Sequence, residues 1–306
     1  MPLSFAELEI FYHNLVTRAR DRGVTCAITS GMACVTFGVA ATTKDCDLLC
    51  APGAARHLFD LLCETVLAGR VPSYRGNLSA PLDERWLRGG WTSHFVWDAG
   101  DAEAYLDVFG VPPRGSSPWE DELHGFYVSR HTVAEMKRTN RERDWPYATA
   151  LGAQMLEAGD ERGWLHIFDE PLLLSLIKTT VPPSHVAKRR PALGLALQSD
   201  PRLRAALHAE LQFWHELDRI RMGIYQKAAR PYLQAVKRAR NKLGASLPIQ
   251  HEVRARCAQA HLPLNPLTDF GVDRMIQQAR IGVAELVNPA ALPFLPDVRD
   301  HFRLPQ

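Results

Sequence analysis

Three aspartates carry most of the chemical information in this chain. Asp45 and Asp47 lie in the run Asp45-Cys46-Asp47-Leu48-Leu49-Cys50, which reads as a β-strand. Side chains alternate faces along a strand, so both carboxylates point one way while Cys46 and Leu48 point the other. Two like charges ~4 Å apart repel by roughly 4 kcal/mol at an effective dielectric of 20, and such a pair calls for a cation beside it. Hard oxygen ligands with room left for water and phosphate suit magnesium or manganese. Asp107, between Leu106 and Val108 in a second apolar run, shares a face with Tyr105 and Phe109. If its strand lies beside the first, Asp45, Asp47 and Asp107 can hold two cations, one on a triphosphate and one lowering the pKa of an attacking hydroxyl, with Asp107 as candidate general base. The rival for Asp107 is a buried acid paired with an arginine such as Arg114 or Arg88. For Asp45 and Asp47 it is a solvated surface strand, which the apolar continuation argues against.

Upstream, Ser30-Gly31 is a tight turn between a short apolar run and a helix. Gly admits close backbone approach, and the helix start offers unpaired N–H groups to an anion, so the turn suits phosphate; read alone it is simply a turn. The histidines from His208 to His215 lack the spacing of a zinc helix and read as helix surface or core. Cys26, Cys34, Cys46, Cys50 and Cys63 lack paired C-x-x-C spacing and read as small core residues of a reducing, cytoplasmic protein.

The elements that must position these residues follow from pattern. Ser4 and Glu7 form a capping box ahead of a helical repeat that stops at Gly23. Val24 to Thr29 reads as a strand, Met32 to Val39 as a helix, Asp45 to Cys50 as a strand and Ala54 to Leu67 as a helix. Ser93 to Trp97 and Glu103 to Phe109 read as a hairpin turning at Asp98-Ala99-Gly100-Asp101. Beyond Asp160 only helical periodicity remains, with Leu203, Leu207, Leu211, Trp214 and Leu217 on one face. The expectation is an α/β (α+β) first domain, 1–158, with a small mixed sheet flanked by helices, then an all-α domain, 159–306.

Thr29-Ser30-Gly31-Met32-Ala33 followed by Thr42-Thr43-Lys44-Asp45-Cys46-Asp47-Leu48 resembles the signature of the DNA polymerase beta-like nucleotidyltransferase superfamily, and within it the AbiEii-type group. The resemblance covers roughly the first half of the chain. It implies a nucleotidyltransferase core, with Gly31, Thr43, Lys44, Asp45, Asp47, Asp107 and a Lys-led helix at Lys137 in the family's positions. The segment Met136 to Asp144 is similar to the group's Lys, Arg, Lys-Asp pattern, with Arg143 where a Lys is usual. The family pattern gives phosphate binding to Lys137 and a site-fixing role to Asp144; Arg141, four residues from Lys137, would share its helix face, which is also how a solvated helix looks. Ser30 where a second Gly is common, and Pro146 after the Asp, are departures.

With 306 residues, 46% hydrophobic and 23% charged, the composition is ordinary for a globular chain, and a net charge of +2 names no partner. Met1 to Ala6 shows no basic stretch followed by an apolar one, and no later apolar run reaches membrane length, so a soluble, unprocessed protein is expected. Arg219, Arg221, Lys227, Arg230, Lys237, Arg238, Arg240 and Lys242, with Lys188-Arg189-Arg190, form basic stretches that suit RNA or simply solvent, and Tyr225 and Tyr232 can stack bases or pack. The leading expectation is therefore metal-dependent transfer of a nucleoside monophosphate from an NTP to an acceptor hydroxyl. The tRNA 3′ end is one acceptor, and the resemblance adds the role of a toxin with an antitoxin partner. The rivals are a protein or small-molecule acceptor, and a non-catalytic nucleotide- or RNA-binding protein.

Overall fold

The computed structural model describes residues 3–76, 78–100, 102–115, 117–239 and 246–302. Helix α1 (Phe5–Asp21) starts at the expected capping box: the Ser4 N–H donates to Glu7 Oε2 at 2.8 Å and the Glu7 N–H to Ser4 Oγ at 3.3 Å. Then come β1 (Cys26–Thr29), α2 (Ser30–Thr36), β2 (Asp45–Cys50), α3 (Ala55–Glu64), β3 (Ser73–Tyr74), α4 (Glu84–Arg88), β4 (Thr92–Ala99) and β5 (Ala102–Phe109). The remaining helices are α5 (Arg130–Met136), α6 (Trp145–Glu157), α7 (Glu170–Ile177), α8 (Ser184–Arg189), α9 (Ala192–Leu197), α10 (Leu203–Arg238), α11 (Leu247–His261), α12 (Pro266–Phe270) and α13 (Val272–Ala284). The protein is thus mixed α/β, and beyond Asp160 the described residues contain no strand.

The strands form one mixed five-stranded sheet in the order β1-β2-β5-β4-β3, antiparallel except for the parallel β2–β5 pair. Its fully apolar face presents Cys46, Leu48, Phe95, Trp97, Leu106 and Val108, all buried. Helix α1 covers it, with Phe11 edge-on to Trp97 and the Tyr12 hydroxyl donating to the Tyr105 carbonyl at 2.7 Å, while Trp97 donates to the Thr65 carbonyl just past α3. The opposite face carries the polar residues of β2, β5 and β4. Two-face alternation along these strands therefore places the acids.

Several expectations change. The second helix begins at Ser30, two residues early, and ends before Gly38, whose φ of 72° a helix cannot continue. Strand β3 has no signal in the sequence; its two residues are held from far away, the Tyr74 N–H donating to Gln250 Oε1 at 3.0 Å. The hairpin turns at Gly100 (φ 74°) as expected, with Asp101 outside the described residues. Lys137 and Arg141 do not share a helix: Lys137 caps the C-terminus of α5, and Arg141 precedes a 3-10 turn at Glu142–Asp144. One buried cluster draws on residues 8–151 with Leu247 alone from the helical half, and another runs from Trp164 to Leu207, while two further clusters cross residue 158. Trp145 packs with Ala209, Phe213, Leu217 and Val283, and Trp86 and Trp91 pack with Tyr232, Val236 and Leu262.

Candidate functional site

In the parallel β2–β5 ladder Asp47 stands directly opposite Asp107, and Asp45 opposite Tyr105. Neighbouring strands are ~4.8 Å apart, so all three carboxylates share one patch of one face. Burial, and next the Asp107 charge, push the Asp47 carboxyl up to about 7, against the pull of Lys137 and a hydrogen bond from Ser30. Burial also raises Asp45, which Arg75 counteracts. An acid held that far from its solution value lacks its counter-charge.

Asp107 has found part of one. Arg75 Nη2 lies 2.6 Å and His94 Nδ1 2.7 Å from its Oδ1. The arginine partner is therefore neither Arg114, which is ion-paired with Asp218 in the interior, nor Arg88, which pairs with Glu84.

The Ser30-Gly31 turn abuts the acids. Ser30 holds φ at 54°, a left-handed conformation that costs roughly 1–2 kcal/mol for a residue with a Cβ, and its hydroxyl reaches Asp47. At Gly31 an added Cβ would fall 2.5 Å from Thr43 Oγ1, so this glycine lets α2 press against the segment entering β2.

Opposite the acids runs the loop after α5. The buried Lys137 Nζ lies 3.5 Å from Asp144 Oδ1 and 5.8 Å from the centre of the Tyr147 ring. Asp144 also accepts from Thr139 Oγ1 and from Arg141 Nη2, both at 2.6 Å. Helix α10 fixes the loop from behind: Asp218 accepts from the Asn140 N–H at 3.1 Å, and its ion-pair partner Arg114 donates to the Met136 carbonyl at 2.7 Å.

Between these walls lies a pocket of about 370 Å³. It gathers Gly31, Lys44, Asp45, Asp47, Lys137, Arg141 and Asp144, which lie more than a hundred residues apart at the extremes. Of the expected site residues, Ser30 and Asp107 stand behind it, bonded to or facing Asp47. Sequence reasoning passed over Thr42, Tyr147 and the binding role of Arg143, which line the same pocket, and over Arg75 and His94 at Asp107. A signal existed for His94, because hairpin alternation puts it on the acid face. None existed for Arg75, which follows the unrecognised β3. Lys44, Lys137, Arg141 and Arg143 outnumber Asp45, Asp47 and Asp144, so the pocket suits an anion once a cation is bound.

Among the described residues no three His, Cys, Asp or Glu side chains form a ready-made metal cage. Asp45 and Asp47 nonetheless fit magnesium or manganese, because such ions take one or two carboxylates and complete their shell with water and substrate phosphate. Burial first and the Asp107 charge next raise the Asp47 carboxyl, with Asp45 contributing least, and a cation bound there would lower it again.

The aromatic and basic residues of α10 divide. Tyr232 is fully buried with its hydroxyl on the Ser79 carbonyl, and Tyr225 donates to the Gly89 carbonyl; both pack, and neither is free to stack a base. Arg190 is buried against Glu210 at 2.9 Å, which breaks up the Lys188-Arg189-Arg190 cluster. Lys227, Arg230, Lys237 and Arg238 are exposed and carry no salt bridge among the described residues. Arg240 and Lys242 lie outside those residues. No described helix is long and apolar enough to cross a membrane, and four of the six cysteines are buried free thiols.

Compared with protein-family models, curated proteins and solved structures, the chain matches none of them.

Proposed function

We propose that this chain transfers a nucleoside monophosphate from an NTP to an acceptor hydroxyl and releases pyrophosphate. One observation carries the reading: a single pocket gathers an acidic pair, a glycine turn and a cluster of cations drawn from distant parts of the chain. That is the equipment for a metal-bound polyphosphate. Asp45 and Asp47 would hold magnesium or manganese, which when bound neutralises phosphate charge and makes the hydroxyl more acidic. Lys137, Arg141, Lys44 and Arg143 would hold the triphosphate, with Asp144 orienting the first two. Gly31 lets α2 seat against Thr43 at the pocket wall, and the Ser30 hydroxyl steadies Asp47. The acceptor oxygen attacks the α-phosphorus, the bond to the bridging oxygen breaks, and its electron pair departs on pyrophosphate.

The exposed cations of α10 favour a polyanionic acceptor such as a tRNA 3′ end over a protein or small molecule. A toxin role with an antitoxin partner rests on the family resemblance alone. The Arg75 contact to Asp107 favours a second reading, nucleotide binding without turnover, because a guanidinium already occupies part of the acidic face. Incubation with magnesium, each labelled NTP and total tRNA or cell extract separates them. Label transfer by the wild type and none by Asp47→Ala supports the enzyme. Nucleotide binding with no pyrophosphate release under any condition leaves the second reading.

A further inference from the structure

Asp107 and Asp47 face each other across the β2–β5 ladder, yet the pocket takes in Asp45 and Asp47 and stops short of Asp107. Arg75 covers the difference. Tyr74 pairs with Phe95 on the buried side of the sheet, so alternation turns the next side chain, Arg75, to the acid face. Its backbone N–H donates to the His94 carbonyl at 2.8 Å, and its guanidinium reaches past His94 to bring Nη2 within 2.6 Å of Asp107 Oδ1. The same guanidinium lies over the Tyr105 ring, 5.0 Å from its centre. Tyr105 is the register partner of Asp45, and the Arg75 charge pulls on Asp45 as well.

Asp107 does not hold Arg75 there by itself. Helix α11 clamps the backbone on both sides of it: Gln250 Oε1 accepts from the Tyr74 N–H at 3.0 Å, and Arg254 donates to the Gly76 carbonyl at 2.6 Å and to the Ser79 carbonyl at 3.0 Å. The Tyr74 hydroxyl is fixed in turn, 2.7 Å from His251 Nδ1. A guanidinium stays charged at any working pH, so the fold builds a permanent positive charge into the acid face. The charge count then closes with one ion. Three carboxylates bring three negative charges, Arg75 supplies one positive charge, and a single divalent cation supplies the other two. A second divalent ion at Asp107 would lie against a guanidinium already bonded to that carboxylate, like charge against like.

We propose that the site takes one divalent cation, held by Asp45 and Asp47, and that Arg75 is the fixed charge at Asp107 where a second ion would otherwise bind. The inference rests on the metal site of the nucleotidyl-transfer reading. Divalent metal then enters once, with the nucleotide, and α11 of the helical half sets the charge of a face made by the sheet.

The test titrates manganese into the full chain, alone and with a non-hydrolysable NTP analogue, and counts the ions bound per chain by electron paramagnetic resonance. The expected result is one ion in the wild type and two in Arg75→Gln, the second broadening the signal of the first because paired ions in such sites lie ~4 Å apart. Arg75→Gln combined with Asp107→Asn removes the ion pair without changing the net charge. That double variant should bind one ion with a Kd within about threefold of wild type, whereas loss of a true ligand costs about tenfold or more. Two coupled ions in the wild type, a single ion in Arg75→Gln, or a tenfold loss in the double variant overturns the inference. A wild type that binds one ion but neither labels any acceptor nor releases pyrophosphate keeps the cation count and removes the nucleotidyl-transfer reading. A wild type that binds no manganese overturns both.

Discussion

Replacing Asp47 with Asn should make the metal-free protein more stable, and increasingly so as pH rises. The Asp47 carboxyl sits at about 7 in the folded chain, against about 3.9 for an unfolded aspartate. Between those values the folded state holds a proton that the unfolded state has released, so stability falls as pH climbs from about 4 to 7 and the cost is complete above that. Three units at 1.36 kcal/mol each set a ceiling of about 4 kcal/mol. Water at the half-buried carboxylate screens the charge, and roughly half of the ceiling is expected. Asn has nearly the same shape and no charge to strand.

Urea denaturation of wild type and Asp47→Asn in a chelating buffer at pH 5, 6, 7 and 8 reads this directly. The gap between the two should be small at pH 5 and widen to about 2 kcal/mol at pH 8. Magnesium should then close it from the other side, stabilising the wild type by about 2.7 kcal/mol at a hundred times its dissociation constant and the variant much less. An Asn variant no more stable than wild type at pH 8, or a gap that does not grow with pH, refutes the argument that the acid pair is strained for want of a cation.

Three further outcomes follow from the same geometry. Arg75→Gln removes the guanidinium 2.6 Å from Asp107, so manganese binding measured by calorimetry should tighten roughly tenfold, about 1.4 kcal/mol. Gly31→Ala drives a methyl into Thr43 and should cost about 1–3 kcal/mol, with weaker NTP binding that Thr43→Ala partly restores. Asp218→Asn leaves buried Arg114 without its counter-charge; about 3 kcal/mol of stability should go, together with nucleotide affinity, although α10 does not line the pocket of Asp45 and Asp47.

What could be read beforehand was what local pattern determines. Period-two alternation put Asp45 and Asp47 on one face, and β2 spans the very residues that pattern marked. The parallel pairing that brings Asp107 opposite Asp47 is a long-range event, on which the sequence could only set a condition, and the register meets it. Residues without a periodic setting escaped. Arg75 follows a two-residue strand whose backbone is held by Gln250 of α11, a contact with no local signature. Lys137 and Arg141 look like neighbours on a helix because their spacing is four, yet the chain leaves α5 at Lys137 and Asp144 gathers both side chains from a loop. Tyr225 and Tyr232 kept two readings open until partners across the core, Gly89 and Ser79, decided for packing.

A change of periodicity near residue 158 marks a change of secondary structure; a folding boundary requires in addition that each side close its own core. Trp86, Trp91 and Trp145 all lie before that point and are almost wholly buried against residues that come after it. Exposing three such side chains costs about 1.5–3 kcal/mol each, and Arg114 loses Asp218, a further several kcal/mol for a buried charge left alone. Together these come to roughly 8–14 kcal/mol, comparable with the total stability of a typical domain, about 5–15 kcal/mol. A fragment ending at residue 158 should therefore lack cooperative unfolding and bind no nucleotide, whatever the acceptor of the full chain proves to be. Circular dichroism with thermal melting reads this, and a sharp transition together with retained NTP binding would show that the acid face needs nothing from α10.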